Sequence, residues 1–404
     1  MALGQTAHPA AGFRRRTTAL PIFQAGFRPF FLLAALWAAA AIGLWVPAYL
    51  GIVALPSAFA PMTWHLHEAI YGFGVAAVAG FLLTAVPTWT GRPPIAGTPL
   101  ALLVLVWIAG RVFCFFSAWT GWQLAMIVDL AFLGIFFLLI SREVIAARNW
   151  RNIPPCIAIA VLALGNAAVH LEERLQWIDY GLGGRIGLAV LLLLMTLIGG
   201  RIIPAFTRNW LARQQREPLP VPFNSLDRVV VLASLAALGL WIFHPDGQIT
   251  GFLLVLAGLL NILRLARWRG TATLSEPLLA ILHVGYLWLG VGLLLLGLEL
   301  LLAEPLLRGG LHALAAGAVG TMILAVMTRA SLGHSGRPLT AGIGTTIVYL
   351  LVTVAALARV AAPALPAVET ALLSFSTLAW IGAFGLFVGL YAPLCLSARR
   401  LDSA

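Results

Sequence analysis

The chain has 404 residues, 61% of them hydrophobic and only 10% charged, and a soluble protein of this length has no interior large enough to hide so much apolar surface. Its formal net charge of +11 comes from arginine alone, since lysine is absent, and with lipid as solvent that excess suits loops facing an anionic leaflet better than a nucleic-acid surface. Cys114, Cys156 and Cys395 stand far apart and form neither a CxxC nor a c-type haem attachment motif, which argues against a disulfide scaffold.

Apolar runs long enough to cross about 30 Å of hydrocarbon recur along the whole chain. In order they predict helices over 29–50, 66–87, 98–117, 121–140, 153–171, 184–205, 226–244, 248–265, 276–299, 309–329, 340–360 and 370–395. The fold class is therefore all-α, a polytopic bundle of about twelve membrane spans. The runs are continuous rather than alternating, which favours helices over a barrel. Two divisions rest on short turn signals, Trp119-Thr120-Gly121 and His244-Pro245-Asp246-Gly247. Residues 1–28, with His8, Arg14, Arg15 and Arg16, form a tail before an uncleaved first span; residues 29–397 form one membrane domain and 398–404 a second tail. With the N-terminus in the cytoplasm, twenty arginines fall on inside segments, and five (Arg111, Arg174, Arg185, Arg308 and Arg359) fall at outside ends. That bias predicts that both termini are cytoplasmic.

Two segments share a pattern. His67 opens HEAIYGFGVAAVAGFLLTAVPTWTGRP (67–93), and His312 opens HALAAGAVGTMILAVMTRASLGHSGRP (312–338). The offset is 245 residues at both ends, and Gly72 matches Gly317 at the same offset. An arginine in each Gly-Arg-Pro loop can pair with a haem propionate or a lipid head. A span of about 20 residues rises about 30 Å, however, so these loops lie far from the histidines that open the segments. Turn geometry is the better reading of Gly91-Arg92-Pro93 and Gly336-Arg337-Pro338.

On this topology His65, His67, His170, His244 and His312 fall at outer helix ends, His283 lies within the ninth span and His334 in an inside loop. Glu68, Glu172 and Glu173 reach the outer depth too. Neutral imidazole suits haem iron and copper, and a nearby carboxylate can accept the second ring N–H and fix the tautomer. His67, His312, His283 and His170 are therefore candidate cofactor ligands. His65, His67, His312 and His170 are candidate metal ligands, with Glu68, Glu172 and Asp129 as supporting groups or a proton route. In WHLHE, His65 and His67 cannot share one helix face. His67 and His312 rank first because they hold the same place in the repeat. The competing reading, hydrogen bonding to headgroups or loops, is stronger for His244 and His334. Arg111, Asp129 and Asn166 are costly in lipid and must face protein or water. No residue is singled out as catalytic.

The chain has no Walker A loop, no GxGxxG opening a soluble βαβ unit and no HExxH signature. The segments FRPFF (27–31), WHLHE (64–68), GFLLTAVPTWTGRP (80–93), GGRIIPAFT (199–207) and AVMTRASLGHSGRPL (325–339) resemble the NnrS family of bacterial membrane proteins, in order and from about residue 20 to 397. The resemblance implies a twelve-span inner-membrane protein that holds haem, b-type and non-covalent, and copper, and that is linked to nitric oxide metabolism and resistance to nitrosative stress. The chain departs from the haem–copper oxidase pattern: it has neither a helix with two deep histidines nor an adjacent His-His pair.

The leading expectation is thus a haem protein of the lipid bilayer acting on nitric oxide or nitrosylated iron by binding or redox chemistry, with an electron donor the sequence does not identify. The alternatives are a small-molecule or metal transporter and an assembly partner of a respiratory complex. Matched repeats around a midplane site would favour the transporter, but the two segments here share one orientation rather than an inverted one.

Overall fold

The computed structural model describes residues 20–175, 177–302 and 309–397. His8, Arg14, Arg15, Arg16, Glu304, Arg308, Arg399 and Arg400 lie outside the described residues. The described chain is all helix and turn, with no strand among the described residues. Among the described residues, twelve helical segments are long and apolar enough to cross a membrane: α1 (Phe27–Tyr49), α2 (Pro61–Thr90), α3 (Thr98–Phe115), α4 (Trp122–Ala146), α5 (Trp150–Glu172), α6 (Leu182–Arg213), α7 (Ser225–Phe243), α8 (Gln248–Ala266), α9 (Pro277–Leu302), α10 (Gly310–His334), α11 (Ile343–Ala364) and α12 (Pro366–Leu396). Outward faces are apolar as well as inward ones. On α3, for example, Leu102, Leu105, Ile108 and Val112 form an exposed stripe at helical spacing.

Both doubtful divisions fall where the turn signals put them. Gly121 takes a positive φ of 89° between α3 and α4, a conformation glycine adopts without a Cβ clash. His244 closes α7, and its carbonyl accepts from the Thr250 hydroxyl at 2.7 Å, so α7 and α8 form a tight hairpin. The largest departure is α6, which runs to Arg213 rather than ending near 205. Its last turns are polar, with Arg201, Arg208 and Arg213, so a hydropathy reading stops before the hydrogen bonds do.

Loops identify the two ends of the bundle. At one end Ser57 donates to the carbonyl of Cys114 at 3.0 Å, and Arg174 donates to the carbonyl of Ala58 at 3.0 Å. This end, which joins α1–α2, α3–α4 and α5–α6, carries His67 and His170. At the other, Asn149 donates to the carbonyl of Trp89 at 2.7 Å and Arg92 pairs with Glu143. We call them the histidine end and the Gly-Arg-Pro end.

Three spans contain a widened π-helical turn: Glu68–Gly74 in α2, Met195–Gly199 in α6 and Ala313–Gly320 in α10. Such turns leave a backbone carbonyl without its usual partner, and in α2 and α6 a side chain from another helix supplies a donor. Trp107 Nε1 reaches the carbonyl of Gly72 at 3.3 Å, and Arg264 Nη1 reaches that of Thr196 at 2.8 Å. The wide turns of α2 and α10 begin directly after His67 and His312, and both segments end on a glycine with positive φ, Gly91 at 68° and Gly336 at 71°.

Helices α8 and α9 approach closely, backbone to backbone. Gly251 faces the carbonyl of Gly297, and Gly258 that of Gly290, an antiparallel seam of glycines seven residues apart on each helix. Lipid gives no hydrophobic drive for helix association, so close backbone contact of this kind holds the pair. A Cβ at 258 would lie 2.7 Å from the Leu294 nitrogen, whereas one at 239 meets nothing within 4 Å. Gly258→Leu is therefore expected to destabilise the bundle by about 1–3 kcal/mol through overpacking, with Gly239→Leu nearly silent. Thermal unfolding of the detergent-purified variants measures the difference.

Candidate functional site

The start of α2 is fixed by Pro61, which takes a first-turn position where its missing N–H costs nothing. Glu173 holds that turn by accepting from the Ala60 amide at 3.2 Å and pairing with the Thr63 hydroxyl. From this anchored turn WHLHE sends its two histidines to different neighbours, as residues two apart on a helix must.

His67 enters a fully buried polar cluster. Its Nδ1 lies 3.0 Å from Glu68 Oε1, and its Nε2 lies 3.0 Å from Asp129 Oδ2 and 2.9 Å from Asn166 Oδ1. Asn166 donates to Asp129 at 2.7 Å, and His170 Nε2 lies 3.3 Å from the same carboxylate oxygen. Arg111 bridges the two acids, donating to Glu68 Oε2 at 2.6 Å and pairing through Nη2 with Asp129. Trp37 adds a donor to Glu68 at 2.7 Å. Five helices contribute: α1 gives Trp37, α2 His67 and Glu68, α3 Arg111 and Cys114, α4 Asp129, and α5 Asn166 and His170. Phe59 covers the imidazoles, its ring 5.1 Å from that of His67 and 4.9 Å from that of His170.

Within the cluster His67, Cys114, Asp129 and His170 each offer one donor atom, and these four atoms lie within 4.8 Å of one another. Two imidazoles, a thiol and a carboxylate form a donor set suited to a borderline or soft cation such as zinc or copper. Charge also matters this deep in the bundle. Glu68, Asp129 and Cys114 can each carry a negative charge, against one permanent cation, Arg111. A divalent cation beside a thiolate neutralises the set; without it, protons on His67 and Cys114 do the same. The residues present therefore fit a metal ion.

His65 and His312 meet elsewhere. Both line a cavity between α1, α2, α6, α10, α11 and α12, with about 100 Å³ of open space. Cofactor sites run larger, about 300–1,000 Å³, so a flat cofactor here requires the lining side chains to move apart. The cavity walls are mostly apolar, and the exceptions are the two imidazoles, Arg359 of α11, Ser376 and Thr377. His65 stacks on Trp45 with centroids 4.0 Å apart. His312 Nδ1 is buried without a hydrogen-bond partner. A buried ring nitrogen left unpaired is costly unless something binds it. Two imidazoles and a guanidinium are donors suited to a metal-bearing group with an acidic substituent.

The structure thus places the paired residues His67 and His312 in two different environments, and it brings His65, not His67, to His312. His170 and Asp129 join His67. His283 stands apart, its Nε2 2.9 Å from the Thr207 hydroxyl and its Nδ1 buried without a partner. Glu172 accepts from the Gly183 amide at 3.3 Å at the loop rim rather than entering the cluster. His244 is exposed, and the ring of His334 lies 5.7 Å from that of Phe27.

The sequence alone does not mark Cys114 as a donor, nor Arg359 and Trp45 as parts of the cavity that His312 lines. It marks Arg111 and Asn166 only as polar groups needing a partner. Helical spacing held a signal for three of them: Arg111 and Cys114 are three apart and Asn166 and His170 four apart, so each pair shares a face.

A family model described as NnrS protein matches residues 21–399, nearly the whole chain. Among curated proteins there is no match.

Removing Arg111 would leave Glu68 and Asp129 buried without their shared cation. Arg111→Gln is expected to destabilise the protein by about 3–5 kcal/mol, the range for breaking a buried pair. Arg92→Gln removes a partner of Glu143 whose own side chain is 39% exposed, and should cost less than about 1 kcal/mol. Thermal unfolding of both variants in one detergent tests the contrast, and equal losses would contradict it.

Proposed function

The chain belongs to the NnrS family, and from that premise we propose that it is a haem-containing protein of the bacterial inner membrane, with both termini cytoplasmic, that protects against nitric oxide by binding or redox chemistry. The observation that carries the haem assignment is the convergence of His65 and His312 on one cavity, with His312 Nδ1 buried and unpaired. His65 and His312 would hold the iron, and Arg359 would take a propionate. Bound there, haem supplies one-electron chemistry and, at a coordination position the protein leaves open, a site for nitric oxide. The side chains do the rest. Trp45 holds the His65 ring flat by stacking, and the apolar lining excludes water.

The second site, His67, Cys114, Asp129 and His170, would hold copper. Glu68 and Asn166 orient His67, and Arg111 tempers the negative charge of the acids. The arginine bias, twenty residues on one side against five on the other, supports the orientation of the termini. It would place the histidine end, and so both sites, toward the periplasm.

An absorbance spectrum of the detergent-purified protein is the first test. A Soret band with stoichiometric iron is expected; its absence from protein expressed with adequate haem supply would sink the haem assignment. His65→Ala and His312→Ala should each abolish or shift that band, while His67→Ala should leave it in place. Retention of an unaltered band in both of the first two would reject these ligands.

Metal analysis of the same preparations tests the other site. Cys114→Ser and His170→Ala are expected to lower bound copper at least tenfold, comparable to loss of a ligand or its orienting partner, without changing haem content. Unchanged copper in both variants would remove the metal from this cluster.

A further inference from the structure

We propose that the Gly-Arg-Pro end of the bundle carries a binding site for a phosphate-bearing anion, in the groove between the start of α5, the second half of α6 and the loop leading into α7. The groove holds about 530 Å³ of space open to water. Arg151 stands at one side, and Arg201 and Arg208 on the other; Pro222 and Phe223 form a wall, and Gly200 and Trp268 the floor. The three arginines come from two helices whose ends meet here.

Charge in the groove is unbalanced. Asp227 is the one acid among the described residues lining it. Its carboxylate is already engaged, accepting from Arg264 Nε at 2.7 Å, from Arg267 Nη1 at 3.4 Å and from the Asn224 amide at 2.9 Å. Arg208 gives one N–H to the carbonyl of Pro220. Arg151 and Arg201 are exposed and make no hydrogen bond or ion pair with a described residue. Five guanidinium groups therefore gather around one carboxylate.

A second, independent observation lies under the floor. Arg264 is fully buried, and its Nη2 has no hydrogen-bond partner. It sits directly behind Gly200, where any added Cβ would collide with that guanidinium. The floor is thus a bare backbone with a guanidinium behind it whose Nη2 has no partner. Guanidinium forks match phosphate oxygens in geometry as well as charge. Phosphate is a better occupant than carboxylate, because its oxygens can engage arginines approaching from two sides at once. The space exceeds one phosphate group, and the exposed apolar side chains of Val221 and Phe223 border it, which suits a phosphate carried on an organic body. An anionic lipid headgroup and a soluble phosphate ester share this chemistry.

The test uses the full chain, stripped of lipid in detergent and returned to nanodiscs of phosphatidylcholine alone or of phosphatidylcholine with phosphatidylglycerol. Thermal unfolding is followed in both, with and without added inorganic phosphate. The site predicts a rise in unfolding temperature from phosphatidylglycerol, from inorganic phosphate, or from both. A rise from the lipid only assigns a headgroup, and a rise from phosphate in the neutral discs assigns a soluble anion. Arg151→Gln/Arg201→Gln is expected to weaken that response about tenfold or more in the concentration required, the loss of charge-assisted hydrogen bonds. Arg151→Lys/Arg201→Lys should retain most of it. No response in the unaltered protein, or an equal response in the glutamine variant, overturns the proposal. Both positions are exposed, so folding should survive; if the double variant fails to fold, the single variants Arg151→Gln and Arg201→Gln give the same reading.

Discussion

A guanidinium buried among hydrocarbon-spanning helices dictates much else in this molecule. Arg111 has no water to turn to, so two carboxylates must meet it, and they come from different helices: Glu68 on α2 and Asp129 on α4. Each carboxylate then requires further donors. Glu68 draws Trp37 of α1, and Asp129 draws Asn166 and, through His170, the end of α5. Five helices are thereby registered against one another by polar contacts that lipid cannot replace. Apolar packing in a bilayer is forgiving of sliding and rotation; this network is not. The same requirement brings a thiol and two imidazoles within reach of a common point.

The other half of the bundle is held by a different device. Glycine seams let α8 and α9 touch backbone to backbone, and Arg264 ties α8 to α6, α7 and α9 through Thr196, Asp227 and Tyr286. Between the two halves run α2, α6 and α10, each with a wide turn. Such a turn changes the phase of a helix, so one helix can present different faces to different neighbours above and below it. The cavity shared by His65 and His312 opens among these three helices. Part of its wall, from Ala69 to Phe73 and from Ala315 to Val319, comes from the wide turns of α2 and α10.

How much of this was legible in the sequence follows from which signals are local. Spans were legible because a continuous apolar run has one physical reading, and turns because Pro245-Asp246-Gly247 and Thr120-Gly121 favour turn conformations over helix. The end of α6 was not, since Arg208 and Arg213 look like loop residues until the bundle is seen to hold them. His67, His170, Asp129 and Glu68 were visible singly as costly groups in apolar surroundings. Their convergence was not, because depth along a helix can be read from sequence but facing direction depends on neighbours. The repeat misdirected attention for the same reason. It matched His67 with His312 by position, yet His65, two residues earlier, faces the cavity that His312 lines. Cys114 was overlooked because a lone cysteine in an apolar helix reads as a small hydrophobe.

That two-residue spacing has a mechanical consequence. His65 and His67 belong to the same opening turn of α2 but address separate sites, so the turn behaves as a rigid crank between them. A rotation of this turn that re-aims one ring re-aims the other. Were both sites occupied, an occupant that prefers one rotation at the first would change the affinity of the second. By thermodynamic reciprocity the second must then change the affinity of the first by the same factor. The anchoring of Pro61, Thr63 and Glu173 would set how stiff the crank is, and hence how strongly loading of one site would be felt at the other.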